Sequence, residues 1–352
     1  MSLLSRARQT LTLYASALTL GMSAALAATP VVAQDDSEET WTWKVQSHWP
    51  SSSSSYTDSL KRLKRVLEER TDGRLQLELH EAGALFDAKE TFEAVSRGVL
   101  EMGTISPQYA QDEISLAGIA SGLPFAFRNV WEVAYFHKNL GFEQMLREEA
   151  AEHDVYWATD KVYPTEMVVK EPIESWDDFT SMKIRSSGAL QSFLTEAGAA
   201  ASYIPGSELY SALDSGVVDG AHWGAVQGAY SMGLYEIAKY HVRPALNIAG
   251  TDVIIVSQKA LGDLPKEMQK VVKNALDEQF WVRTNEYQYK ERLVLAKAQE
   301  ELGVKINTLP QDVQNKLMET ARGLWAKEAE RSDRAEKAMG MLKDYLRELG
   351  YL

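Results

Sequence analysis

The segment SMKIRSSG, residues 181–188, presents one arginine after a short apolar run and directly before a turn of small residues. This is how a strand would deliver the Arg185 guanidinium at its carboxyl end. Open α/β sheets bind ligands in the crevice beyond their strand ends, and a planar guanidinium matches the geometry of a carboxylate. An arginine on a strand is also often a surface or ion-pairing residue, so the segment by itself leaves both interpretations open.

Strand and helix patterns alternate in the first part of the chain. Alternating apolar and polar residues predict strands at 41–47 and 74–80, and helical spacing predicts a helix between them at 56–70. A short helix that ends at Gly98 leads into a predicted strand at 99–105. This β-α-β-α order is typical of an α/β sheet and argues against a β-sandwich.

The middle of the chain continues this alternation. The apolar segment LPFAF, residues 123–127, is interpreted as core packing because aromatic residues are usually buried. A helix is predicted at 131–149, and separate strands are predicted at 155–159 and 166–170.

Two elements in the second half are expected to connect the molecule. The run GTDVIIVS, residues 250–257, is rich in β-branched residues and predicts a buried central strand. A very long helix is predicted at 265–302, with Pro265 at its start and Gly303 at its end. It has neither heptad regularity nor a membrane-type composition, so we expect it to lie across both halves of the protein.

Two segments of the chain resemble each other. Residues 94–103 and 212–221 both read as a helix end, a glycine, two aliphatic residues, an acid and small residues. The glycine supplies the left-handed conformation with which many helices end. An aromatic residue in a loop follows each copy, Tyr109 in the first and Trp223 in the second. We interpret this pairing as two equivalent lobes that face each other across a cleft.

The composition excludes several classes of function. The chain of 352 residues has a formal net charge of −13 and no cysteine. The acidic balance argues against binding to nucleic acid, and the lack of cysteine excludes disulfides and thiolate chemistry. The sequence has no zinc-type histidine pair, no Gly-x-Ser-x-Gly elbow and no phosphate-binding glycine loop. We therefore expect no catalytic residue, no metal ligand and no cofactor.

The amino terminus has the pattern of an export signal. Arg6 and Arg8 precede a mostly apolar stretch at 11–26, and alanines follow. This pattern predicts a secretory signal peptide over residues 1–33. Export without cysteine fits the bacterial periplasm.

Together these residues resemble the solute-binding proteins of TRAP transporters, the tripartite ATP-independent periplasmic type. The resemblance runs from about residue 43 to about residue 317. It rests on four motifs: MKIRSSG at 182–188, IPGSELYSALDSGVVDG at 204–220, LPFAF at 123–127 and LYEIAKY at 234–240. It implies an α/β, two-lobe, type II-like periplasmic binding protein with a central cleft and a long helix that spans both lobes. The cleft would close on a small organic acid and deliver it to membrane permease subunits, without catalysis.

The resemblance also implies where the lobes divide. The expected parts are lobe 1 at 41–162 and about 250–283, lobe 2 at 163–249 and about 303–310, the spanning helix at 265–302, and carboxyl-terminal helices at 311–352.

The same resemblance implies a set of substrate-binding residues. Arg185 would clamp the carboxylate, and Trp223 and Tyr109 would form a wall along the apolar part of the ligand. The other candidates would meet the remaining polar groups or come from the first lobe: Asn247, Thr165 or Glu166, and Trp49 or Ser52.

Residues 220–240 are most like the branch that binds 2-oxo or 2-hydroxy monocarboxylates. Members of that branch can hold a cation through an acid next to the tryptophan and a second acid downstream. Here His222 precedes Trp223, and Asn247 stands near the expected second acid, so no metal is expected.

Two other functions remain open at the sequence level. One is an exported binding module that signals to a membrane sensor, and the other is an exported enzyme with dispersed carboxylates that acts on a carboxylate. The sequence is compatible with a monomer or a homodimer.

Overall fold

One mixed sheet of nine strands organises the residues that the computed structural model describes, Glu39–Leu352. The predicted signal peptide, residues 1–33, lies outside them. The strands are β1 Trp41–Gln46, β2 Leu75–His80, β3 Met102–Ile105, β4 Val155–Val169, β5 Lys183–Ser186, β6 Ala200–Tyr203, β7 Gly220–His222, β8 Tyr240–Ser257 and β9 Lys305–Thr308. Their spatial order is β2-β1-β3-β8-β4-β7-β5-β6, and β9 pairs with β8.

The antiparallel pair of β4 and β8 forms the centre of the sheet. The parallel group β2-β1-β3 joins the carboxyl-terminal part of β8, where Met102 pairs with Val256. The parallel group β6-β5-β7 joins the carboxyl-terminal part of β4, where Met167 pairs with His222. Two groups of three strands therefore lie at opposite ends of the same two long strands.

The separate strands predicted at 155–159 and 166–170 are one strand in the structure. The register of β4 against β8 shifts at three places between Thr159 and Met167. These irregularities interrupt the alternation of side chains, which is why the sequence pattern breaks there. The strand predicted at 250–257 is likewise the second part of β8, which already begins at Tyr240.

The helices lie between and beside these strands. Their bounds are α1 Arg62–Arg70, α2 Thr91–Ser96, α3 Ala117–Ala120, α4 Val130–Lys138, α5 Phe142–Ala151, α6 Trp176–Ser181, α7 Gly188–Glu196, α8 Gly206–Asp214, α9 Val226–Ser231, α10 Leu234–Ile237, α11 Gln258–Gly262, α12 Lys266–Leu302, α13 Gln311–Ala329 and α14 Asp333–Glu348. A π-helical turn, Tyr56–Lys61, leads into α1, and a 3-10 turn, Pro107–Ala110, follows β3.

The long helix α12 has nearly the predicted length. It spans 37 residues and ends at Gly303, which has a left-handed φ of 68°. At 1.5 Å per residue it is about 55 Å long. It packs on α1, β4 and α9, so it contacts a helix beside each of the two strand groups.

The single helix predicted at 131–149 is two helices, α4 and α5. Asn129 and Glu132 form a capping box at the start of α4. Gly141, with a φ of 93°, separates the two helices, because this left-handed conformation cannot continue a right-handed helix.

Apolar side chains pack on both faces of the sheet. Leu123, Ala126 and Phe127 are buried in the core, as predicted for the segment LPFAF. No helix within residues 39–352 has the combination of length and apolar composition that a membrane crossing requires. We propose that the lobes meet near the middle of β4 and β8, where the two strand groups separate.

Candidate functional site

A cavity lies where strands from both groups end. Its wall includes residues that follow β1, β3, β5 and β7, among them Trp49, Tyr109, Ser187 and Trp223. About 770 Å³ of space lies between the protein atoms there, including the opening, and the centre of a water-sized sphere can move through about 70 Å³ of it. One water needs about 10–15 Å³ by this measure, so the closed space suits a molecule of roughly five to seven non-hydrogen atoms.

Arg185 is the last but one residue of β5 and is only 1% exposed. Its Nε donates a hydrogen bond to the Ile204 carbonyl oxygen at 2.8 Å, and its Nη1 donates to that of His222 at 2.9 Å. These two bonds fix the plane of the guanidinium. The third nitrogen, Nη2, is buried without a hydrogen-bond partner.

No ion pair in residues 39–352 includes Arg185. Burial lowers the pKa of its guanidinium from the ordinary value, although an arginine remains charged in proteins. Because a buried charge without a partner is unfavourable, the site is built to receive an anion.

Aromatic rings surround the Arg185 guanidinium. Its central carbon lies 5.1 Å from the Trp223 ring and 6.0 Å from the Tyr203 ring. Tyr109 meets Tyr203 edge to face at 6.2 Å between ring centroids, and burial raises the pKa of its hydroxyl, which keeps it neutral. Gly206 lets Trp223 approach closely, since a Cβ there would lie 2.2 Å from the indole.

His222 lies beside Arg185 and is neutral. Its Nδ1 is 2.8 Å from the Ser186 hydroxyl oxygen. Burial and the positive charge of Arg185 hold the pKa of His222 well below its ordinary value. Of these two neighbouring side chains, Arg185 therefore carries the positive charge.

A second part of the cavity wall, here called the second end, contains a buried ion pair. Lys161 Nζ lies 2.5 Å from Asp252 Oδ2 and 3.1 Å from Asp160 Oδ2. Burial by itself would raise the pKa of Asp252, but Lys161 and His48 hold it below its usual range. Lys161 also lies 4.6 Å from the Trp49 ring and 5.1 Å from the Tyr163 ring.

Asn247 and Thr165 face each other across β8 and β4 in the wall between the two ends. Asn247 Nδ2 donates to the Ser121 carbonyl oxygen at 3.1 Å, and its Oδ1 accepts from the Ala249 amide at 2.7 Å. The amide is therefore held in one orientation. Gly250 leaves room for Thr165, because a Cβ there would lie 2.4 Å from the Thr165 hydroxyl oxygen.

The structure brings six of the eight candidate residues to this cavity. They are Arg185, Trp223, Tyr109, Asn247, Thr165 and Trp49. These assignments remain a proposal until ligand binding is measured.

Glu166 and Ser52 do not reach the cavity. Glu166 is buried outside the cavity wall, where it pairs with His241 at 2.8 Å and with Arg243. Ser52 contacts Met232 on the outside. Two later members of the serine loop, Ser53 and Ser55, contribute to the wall instead.

Sequence reasoning missed the residues at the second end, namely His48, Lys161, Tyr163, Asp252 and Tyr287. One signal was present in the sequence. Asp252 interrupts the β-branched run 250–257, and Lys161 follows an acid in a strand. Charged residues are rarely buried unless they are paired, so two oppositely charged residues in central strands indicate a buried pair.

Contacts across the mouth join the two strand groups. Gln108 Nε2 donates to the Ser187 hydroxyl oxygen at 2.8 Å. Gly188 touches the same glutamine, since a Cβ there would lie 2.3 Å from Gln108 Cβ. On the other side, the Ser54 amide donates to the Ser231 hydroxyl oxygen at 3.1 Å. The cavity is therefore in a closed conformation.

The acidic and histidine side chains of the cavity do not form a metal-binding cluster. Within residues 39–352, no group of three or more histidine, aspartate or glutamate side chains is placed to hold one. The acid in the wall, Asp252, already contacts Lys161, Tyr163 and His48.

Comparison with known proteins gives consistent matches over most of the described chain. The family model described as bacterial extracellular solute-binding protein, family 7, matches residues 46–332. The monocarboxylate 2-oxoacid-binding periplasmic protein of Nostoc sp. is 25% identical over 261 residues, which is 70% of this chain and 68% of that protein. The ectoine-binding periplasmic protein TeaA of Halomonas elongata is 27% identical over 225 residues, or 61% and 63% of the two chains.

A solved structure shows the same architecture. It is a TRAP periplasmic solute binding protein from Pseudoalteromonas atlantica T6c with bound sodium and pyruvate. The TM-score is 0.80 at 23% identity, with 88% of this chain and 95% of that chain covered. The predicted two-lobe α/β fold is confirmed.

Proposed function

Because the chain belongs to family 7 of the bacterial extracellular solute-binding proteins, we propose that it captures a small organic acid in the periplasm and delivers it to a TRAP-type secondary transporter. The ligand carboxylate binds Arg185, and the two lobes close around it. The membrane permease subunits receive the acid from the closed form.

One observation carries this proposal. Arg185 is a fully buried cation with one unused nitrogen and without an acidic partner in the described chain. A carboxylate bound to it would remove both defects, because it supplies the missing negative charge and accepts charge-assisted hydrogen bonds. The rings of Trp223 and Tyr203 hold the guanidinium in place for this contact.

The closed cavity favours a small ligand with a single carboxylate. Its free space suits roughly five to seven non-hydrogen atoms. Of the two buried cations in the cavity wall, Lys161 already pairs with Asp252, whereas Arg185 has no carboxylate partner. The relative named for 2-oxoacids and the pyruvate-bound structure support the same chemical class.

Closure follows from the connections between the lobes. The chain passes between the strand groups through β4, β8 and α12, and such connections allow hinge motion around a ligand. A carboxylate held between Arg185 on one lobe and side chains of the other would stabilise the closed form, in which Gln108 contacts Ser187.

A screen for ligands tests the proposal. A binder of the folded state raises the melting temperature by mass action, so small organic acids are screened by thermal shift, with and without chelator. The acids that bind are then titrated by calorimetry against Arg185→Gln. We expect this change to weaken binding by about 2–5 kcal/mol while the circular dichroism spectrum is retained.

Lys183→Gln is the matched control. It removes a positive charge from the same strand, but Lys183 is exposed and pairs with Asp219. The proposal is overturned if no organic acid binds, or if Arg185→Gln and Lys183→Gln have the same affinity as the unmodified protein.

A further inference from the structure

The second end of the cavity, around Asp252, offers a second recognition group. Asp252 lies on the part of β8 that pairs with β3 and β4, with a side chain only 5% exposed. Its neighbours in the cavity wall are His48, Lys161 and Tyr163. The proposed function leaves Asp252 without a role.

Asp252 has hydrogen-bonding capacity left. Its Oδ1 accepts from the Tyr163 hydroxyl at 3.0 Å and lies 3.4 Å from His48 Nε2, and its Oδ2 accepts from Lys161. An ionised carboxylate has about four acceptor positions. Three neighbours therefore leave about one position for a donor that enters from the cavity.

The charges around Asp252 limit which donor can enter. A second ligand carboxylate would meet a cluster in which two acids, Asp160 and Asp252, outnumber one lysine. A ligand ammonium that reached Asp252 would lie beside the Lys161 ammonium, whose Nζ is 2.5 Å from Asp252 Oδ2. Either charged group would also have to leave water. A neutral donor, a hydroxyl group, avoids both repulsions and can use the free acceptor position.

We propose that Asp252 is the specificity-determining residue of the site. It accepts a hydrogen bond from a hydroxyl group at the end of the ligand away from the carboxylate, and it excludes acids that carry a second carboxylate there. This inference rests on the proposed function, because it takes the first carboxylate to be bound at Arg185.

The test uses acids that differ only at the last carbon. Unbranched monocarboxylates of three to six carbons are titrated by calorimetry to find the chain length that binds best. Four acids of that length are then compared, ending in methyl, hydroxyl, ammonium or carboxylate. For four carbons these are butyrate, 4-hydroxybutyrate, 4-aminobutyrate and succinate. We expect the hydroxy acid to bind about tenfold or more tightly than the methyl acid, and the two doubly charged acids to bind more weakly than both.

Asp252→Asn should change this order of preference. The preference for the hydroxy acid over the methyl acid should fall to within about threefold. The dicarboxylate should gain about tenfold relative to the hydroxy acid, because Lys161 loses one of its two counter-charges.

The double variant Lys161→Gln/Asp252→Asn also removes the cation to which a second carboxylate could bind, while Asp160 keeps its hydrogen bonds from Ser59 and Gln279. It should lose the preference for the hydroxy acid without gaining the dicarboxylate. Asp263→Asn, an exposed position that pairs with Lys259, is the matched control and should keep the order of the unmodified protein.

The outcomes separate the two proposals. A dicarboxylate that binds as tightly as the hydroxy acid, or an Asp252→Asn variant that weakens all four acids by the same factor, overturns the role of Asp252. If Arg185→Gln still weakens the binding of acids in either case, the proposed function stands. Failure of every monocarboxylate to bind overturns the role of Asp252, and failure of every organic acid in the thermal-shift screen overturns both proposals.

Discussion

The two ends of the cavity bury a positive charge in opposite ways. Arg185 has no acidic partner in the described chain and keeps an unused nitrogen. Lys161 lies between two acids, Asp160 and Asp252, and is fully buried. Both residues are on strands of the same sheet and both face aromatic rings. Whether the protein provides the counter-charge is the difference between them.

This difference indicates different roles. The cation of a buried ion pair is already compensated within the protein, and removing it leaves an unpaired charge. A buried cation without a partner is unfavourable in the free protein and is expected where an anion binds. Arg185 should therefore control binding, whereas Lys161 should mainly control stability.

The largest expected effect comes from removing the paired cation. Lys161→Met leaves Asp160 and Asp252 buried with their charge uncompensated, so the free energy of unfolding should fall by about 3–5 kcal/mol. Arg185→Met should cost less than half as much, because it removes a cation that lacks a partner. Urea denaturation of the ligand-free variants gives both values, and equal losses would contradict the assigned roles.

The next effect concerns the geometry of the unpaired cation. Arg185→Lys keeps the charge but cannot form two parallel hydrogen bonds to a carboxylate. Calorimetry should show binding of an acid that is about ten- to hundredfold weaker. Lys183→Arg serves as the control on the same strand and should leave the affinity unchanged. An Arg185→Lys variant that binds as well as the unmodified protein would show that charge alone is sufficient.

A pH effect sharpens the comparison at the Arg185 end. Glu291 on α12 accepts hydrogen bonds from the amides of Val226 and Gln227, at 2.9 and 2.7 Å, and so holds the loop that carries Trp223. Burial, together with the charge of Glu166, raises the pKa of Glu291 from 4.5 to about 8. Between pH 4.5 and about 8, the Glu291 carboxyl therefore keeps its proton in the folded protein but loses it in the unfolded chain.

Stability should consequently fall as the pH rises. Between pH 6 and 8 the contribution of Glu291 is a loss on the order of 2 kcal/mol in the free energy of unfolding. Glu291→Gln should remove that part of the slope when urea denaturation is measured at pH 6, 7 and 8. An unchanged slope in the variant would mean that Glu291 is ionised across this range.

The smallest effect is expected at the mouth of the cavity. Gln108→Ala removes the hydrogen bond to Ser187 that joins the two lobes in the closed form. The affinity should fall by about threefold to tenfold, the usual range for one neutral hydrogen bond, and calorimetry would measure it. Gln144→Ala on the exposed face of α5 is the control. Equal affinities of the two variants would remove Gln108 from the closure.

The Arg185 end could be predicted from the sequence because its signals are local. The strand before Arg185 and the small residues after it lie in one short segment. Tyr109 and Trp223 each follow one of two short segments with similar sequences, 94–103 and 212–221. Strand alternation predicted β1 and β2, and the long helix α12 was predicted within one residue of its observed start.

The second end could not be predicted in the same way because its contacts are distant in sequence. Lys161 and Asp252 lie 91 positions apart and meet through the register of β4 and β8. That register is irregular, so alternation alone does not say which side chains face the cavity. The same irregularity left Thr165 and Glu166 as alternatives, although only Thr165 faces it.

The central claim is that Arg185 binds a carboxylate, and the most direct test changes the ligand instead of the protein. A monocarboxylate that binds is compared by calorimetry with its primary amide, which has nearly the same shape but no negative charge. The unmodified protein should bind the amide at least about a hundredfold more weakly, because Arg185 then stays buried and uncompensated. Equal affinity for the acid and the amide would contradict the account.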